Sequence, residues 1–232
     1  MPRRSTAIVV LGLVAFLLTG CTRGASPPKT IDEEVRDFVT PTYAEGVSYE
    51  TARALGPRAE PILLQLLDRP DMRASRSNIV VTLGIFGSPQ AVQRIITTIE
   101  AGSGVLPADE VQTRMDAVVA LGYAANVAAD ATAINYLLAG ADLAHWTPPR
   151  IKWILPGGGV PSDRLRARAI SALGLSGKSD AHQMLLTLQK AGGGGRGGQP
   201  SREQELIAES IKTNEYIAQN GLTKYYETHS RR

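Results

Sequence analysis

The sequence predicts an all-α domain behind a short export signal. Three observations lead there. Apolar residues recur at helical spacing from about residue 31 to residue 190, and a pattern closing on Leu-Gly returns along the chain. β-branched runs occur only inside that helical periodicity, so no strand is expected.

The first element is an address. Arg3 and Arg4 precede the apolar run Ala7–Leu18, which is shorter than the span a permanent membrane helix needs and suits a signal-peptide core. The run closes on Leu18-Thr19-Gly20-Cys21, a branched apolar residue, two small residues and the chain's single cysteine. That order resembles a lipobox. The resemblance implies that the Cys21 thiol takes a diacylglycerol, that cleavage removes residues 1–20, and that the freed amine is acylated. Ser5-Thr6-Ala7 departs from the twin-arginine pattern, so general secretion is expected. Thr22 is not the aspartate that commonly retains lipoproteins at an inner membrane, which favours an outer membrane where the host has one.

Loss of residues 1–20 removes two of the 25 basic side chains and none of the 22 acidic ones. The exported chain is then nearly neutral, and charge gives a nucleic-acid partner no support. With Cys21 lipidated no disulfide is available, so stability must come from packing.

Residues 21–30 are a polar tether rich in Pro, Gly and Ser. Thr30-Ile31-Asp32-Glu33 is a capping-box pattern that opens a first helix. The repeat follows. Arg76-Ser-Asn-Ile-Val-Val-Thr-Leu-Gly84, Arg114-Met-Asp-Ala-Val-Val-Ala-Leu-Gly122 and Arg166-Ala-Arg-Ala-Ile-Ser-Ala-Leu-Gly174 share an Arg seven residues before Leu, small or β-branched residues between, and a final Gly. Ala52–Gly56 is a weaker copy. The Gly is expected to stop each helix in a left-handed cap. A second apolar helix follows each stop: Ile62, Leu63, Leu66 and Leu67; Val92, Ile95, Ile96 and Ile99; Ile134, Leu137 and Leu138; Met184, Leu185 and Leu188.

This rhythm, fullest from Arg166 to Leu188, resembles the HEAT-like repeats of the phycobilisome-lyase group and of bacterial scaffold proteins. The resemblance spans roughly residues 48–190 and implies a short right-handed α-solenoid of about four helix pairs with a protein-binding surface. It carries over no catalytic residue. Such pairs cannot bury their apolar faces alone and must stack. Leu-Gly spacings of 28, 38 and 52 residues depart from a constant repeat, and the excess reads as two insertions, 102–107 and 141–162. Residues 191–200 are a Gly-rich linker, and 201–232 read as a capping helix pair ending near Gln219 and resuming at Leu222.

Chemistry-bearing motifs are few. Ala172–Ser179 satisfies the loose form of a phosphate loop, yet it follows an amphipathic helix rather than a strand, so no nucleotide is expected at Lys178. His145, His182 and His229 have no metal-ligand spacing, and no nucleophile elbow occurs. No catalytic, cofactor or metal residue is assigned. Arg76, Arg114 and Arg166 form a ladder read as structural. The candidate partner-binding residues are Trp146, Arg150, Lys152 and Trp153, in the longer insertion, which holds both tryptophans and is stiffened by Pro148, Pro149 and Pro156. Two readings stay open there: an exposed indole as an interface anchor, or both indoles patching the core. The expected function is a membrane-tethered scaffold that binds another protein. The alternatives are an accessory to a pigment- or cofactor-handling enzyme and a purely structural envelope lipoprotein.

Overall fold

The computed structural model describes residues 28–43, 46–192 and 200–229. The expected signal peptide, the expected lipidation site Cys21, most of the tether and all but the ends of the Gly-rich linker lie outside the described residues. Among the described residues ten α-helices carry the fold: α1 (Ile31–Val39), α2 (Tyr49–Leu55), α3 (Glu60–Asp68), α4 (Arg76–Phe86), α5 (Pro89–Glu100), α6 (Ala108–Val127), α7 (Thr132–Gly140), α8 (Ser162–Ser176), α9 (Ser179–Ala191) and α10 (Arg202–His229). The capping box opens α1 as its sequence requires: the Glu33 amide donates to Thr30 Oγ1 at 3.3 Å and the Thr30 amide to Glu33 Oε2 at 2.8 Å. Gly221, at φ 80°, divides α10 near the break expected in the sequence.

The helices form two layers in chain order. In one, α4 packs on α6, α6 on α8 and α8 on α10; in the other, α3 packs on α5, α5 on α7 and α7 on α9. Leu83, Leu121 and Leu173 are all fully buried, at matching places in α4, α6 and α8.

The Leu-Gly glycines correct one expectation. Gly84, Gly122 and Gly174 do not end their helices; each sits inside one, where the next helix comes closest. A Cβ at Gly122 would fall 2.6 Å from the Ala172 carbonyl oxygen, one at Gly174 2.9 Å from that of Ser210, and one at Gly84 nearer still to that of Ala120. These glycines are selected by backbone approach. The left-handed stops come three residues later, at Gly87 (φ 64°) and Gly177 (φ 60°). In α6 the corresponding residue is Ala125, and that helix runs on to Val127. Gly56 does end α2, though at φ 72° and ψ 175° it lies outside the left-handed helical conformation expected of it.

Two of the ladder arginines secure the joints between pairs. Arg114 Nη2 donates to the carbonyl of Ala101, the C-cap of α5, at 3.0 Å, and Arg166 Nε to that of Ala141, the C-cap of α7, at 2.7 Å. Arg76 reaches Glu110 on α6, and Arg166 also reaches Glu203 on α10, each at 2.5 Å. Unsatisfied carbonyls at a helix end need donors, and a long cation supplies them.

The two insertions meet, which the sequence did not announce. β1 (Ser103–Val105) pairs in parallel with β2 (Lys152–Ile154), Gly104 opposite Trp153. Strands do therefore occur, against expectation. They are three-residue bridges, too short to show a period-two pattern, and their pairing depends on a contact between distant parts of the chain.

Candidate functional site

The structure places the tryptophans inside the protein. Trp146 and Trp153 are each 1% exposed, so of the two open readings the core patch holds and the exposed anchor is corrected. Trp146 Nε1 donates to the Gly140 carbonyl at 2.7 Å and Trp153 Nε1 to the Ile99 carbonyl at 2.9 Å. Each indole caps the end of a second-layer helix and fills space beside it. Gly140 makes that room, since a Cβ there would lie 2.5 Å from the Trp146 ring. Burying a large apolar ring with its N–H satisfied is the stable outcome, and Pro-rich composition around it does not alter that balance.

The polar members of the insertion stay outside. Lys152 is exposed on β2. Arg150 pairs with Glu100 at 2.7 Å and lies over the Tyr136 ring, 5.8 Å from its centroid; the Tyr136 hydroxyl also donates to Glu100, at 3.1 Å. His145 meets the rings of Tyr136 and Trp146 edge-on. Burial, with the Arg150 guanidinium nearby, holds its imidazole below the usual histidine range, and burial beside Glu100 pushes the Tyr136 phenol up. These contacts bind the insertion to α5 and α7. The four candidate residues are thus not gathered on one exposed surface.

The residues resembling a phosphate loop form a helix–turn–helix joint. α8 ends at Ser176, Gly177 turns the chain and Lys178 precedes α9, with no strand before the turn.

A different place has the form of a site. A cleft of about 500 Å³ lies over the first layer, with the outer faces of α4 and α6 as its floor. Gln112, Asp116, Val119 and Tyr123 follow one another along a single face of α6, while Ser77, Asn78 and Val81 do so along α4. The segment after α1 makes one wall through Thr40, Thr42, Tyr43 and Val47, and Tyr226 of α10 makes another. Asn78 Nδ2 ties the first wall to the floor by donating to the carbonyls of Val39 at 2.8 Å and Pro41 at 2.9 Å.

The second wall is held by aromatic packing. After Gly221 the chain turns back over the first layer, and Tyr226 stacks on Tyr49 of α2 with ring centroids 5.2 Å apart. The Tyr226 and Tyr123 hydroxyls share a hydrogen bond, and their rings lie 6.1 Å apart. Burial raises both phenols above the ordinary tyrosine range. Asp116 is the one charged group among the described lining residues. It accepts from Gln112 Nε2 at 2.8 Å and has no ion-pair partner among the described residues.

Sequence reasoning missed this cleft. Tyr43, Tyr123 and Tyr226 are far apart in the chain, and the polar face of α6 resembles ordinary solvated surface. The available signal was the concentration of Tyr216, Tyr225 and Tyr226 in the last helix. Among the described residues no group of three or more His, Cys, Asp or Glu is placed to hold a metal ion, and no helix is long and apolar enough to cross a membrane. No family model, curated protein or solved structure matches this chain.

Proposed function

We propose that this chain is a lipid-anchored binding protein, held to the cell envelope through Cys21, whose helical array grips a protein partner without transforming it. The array is a short right-handed solenoid of about four HEAT-like pairs, capped by α10. The matching burial of Leu83, Leu121 and Leu173, and the close approaches at Gly84, Gly122 and Gly174, support that reading. The observation that carries the function is the cleft over α4 and α6, walled by segments from both ends of the chain and lined by Tyr43, Tyr123 and Tyr226. A preformed concavity that sets aromatic rings beside polar side chains is where a rigid helical scaffold takes a ligand. Arg150 and Lys152 do not line this cleft, and Arg150 is held by Glu100 and Tyr136.

The tether of residues 21–30 would let the domain stand off the membrane while several acyl chains, each gaining about 0.8 kcal/mol per buried methylene, keep it there. Fractionation combined with capture tests the reading. The wild-type chain is expected in the membrane fraction with a stoichiometric protein partner after solubilisation, and Cys21→Ser is expected to lose the membrane. A co-purifying chromophore would favour the pigment-accessory alternative. Capture of nothing, with Cys21→Ser still membrane-bound, would refute both the anchor and the scaffold.

A further inference from the structure

Resting on that scaffold reading, we infer that the cleft over α4 and α6 receives a basic side chain, a lysine ammonium or arginine guanidinium, from the partner polypeptide, with Asp116 as its counter-ion and the rings of Tyr43, Tyr123 and Tyr226 as its walls.

The cleft's charge is one-sided. Asp116 is half-buried and is the only acidic residue among the described lining residues; none of those residues is Lys, Arg or His. Some surface carboxylates are paired within the chain, as Asp109 is with Arg73 and Glu100 with Arg150. Asp116 has only the Gln112 amide, which leaves acceptor capacity on its carboxylate. A partly desolvated carboxylate with spare acceptors gains most from a charged donor.

The walls select for the same ligand. Aromatic rings present negative faces, and a cation within about 6 Å of such a face is attracted, more strongly where water is excluded. The tyrosines carry no charge at neutral pH, so Asp116 is the cleft's one acidic group among the described lining residues. Its volume of about 500 Å³ exceeds what an ammonium needs and accommodates an extended basic side chain with its flanking backbone. Thr40, Thr42 and Ser77 supply hydroxyls around it to meet that backbone. An acidic or purely apolar peptide would cover Asp116 without giving it a counter-ion.

The test uses the full chain in detergent and chemical-shift titration with three blocked tripeptides, Gly-Lys-Gly, Gly-Arg-Gly and Gly-Gln-Gly, and with putrescine as a free amine. The Lys and Arg peptides are expected to saturate the cleft and the Gln peptide not to. Asp116→Asn, which keeps shape and fold, should weaken the basic peptides by about tenfold or more. Tyr226→Phe keeps the ring and should retain binding, whereas Tyr226→Ala should lose it with the circular dichroism spectrum unchanged. Equal binding of the Gln peptide, binding insensitive to Asp116→Asn, or no binding of any peptide would overturn the inference. So would putrescine binding more tightly than the peptides, since that marks a small-amine site. Failure here is separable from failure of the scaffold reading: a partner captured equally by wild type and Asp116→Asn keeps the scaffold and removes the cation pocket.

Discussion

Gly122→Ala tests the packing that spaces the first layer. In a solvent-facing helix this change stabilises by about 0.5–1 kcal/mol, because alanine loses less backbone entropy. Here the new Cβ would lie 2.6 Å from the Ala172 carbonyl oxygen and 2.9 Å from the Ala172 Cα. Those are backbone atoms of α8, which cannot rotate aside as a side chain can. The helices must separate, and overpacking of this kind costs about 1–3 kcal/mol, or more where the strain is rigid. Set against the propensity gain, the net effect is a loss of about 1–2 kcal/mol, which for a chain of this size lowers Tm by roughly 3–8 °C. Urea and thermal unfolding followed by circular dichroism measure it. Gly159→Ala is the control, because a Cβ there meets only Leu155 Cδ1, at 3.8 Å, and stability should hold. A Gly122→Ala protein as stable as wild type, or more so, would refute the close approach of α6 and α8.

Two further outcomes follow from the insertion. Trp153→Ala removes a fully buried ring and frees the Ile99 carbonyl, and should cost about 3–5 kcal/mol, lowering Tm by roughly 10 °C; a near-native melt would return Trp153 to the surface. His145 faces Arg150, Glu100, Asp142 and Tyr136, and its native pKa lies below that of the unfolded chain. The unfolded state then binds the proton first, so stability is full above about pH 6.5 and falls as pH drops below it. His145→Gln should flatten that slope in urea melts taken at a series of pH values, and an unchanged slope would clear His145 of the effect.

The residues that announced the fold were those whose environment is local. Helical spacing placed the buried Ile95, Ile99, Leu121 and Leu173 correctly, because one face of a helix is written in its own sequence. Gly84 and Gly87, or Gly174 and Gly177, look alike to such a reading. One glycine answers a neighbouring helix and the other a change in φ, and only the second cause is local. Trp146 and Trp153 stayed open between core and surface for the same reason: their pockets are made by Gly140 and by the end of α5, contacts no periodicity records. The cleft was the least legible feature. It forms where the chain after Gly221 folds back to bring Tyr226 onto Tyr49 and Tyr123, over residues of α6 that alone read as solvated surface.

Photocrosslinking in intact membranes tests the central claim most directly. Benzoylphenylalanine is placed at Ala74, an exposed residue on the cleft lining, and in a second strain at Gln183, an exposed position on α9 in the other layer. The account predicts a discrete cross-linked product from Ala74 that disappears with Tyr226→Ala, and none from Gln183. Equal products from both positions, or a product from Ala74 that survives Tyr226→Ala, would contradict a partner held in the cleft.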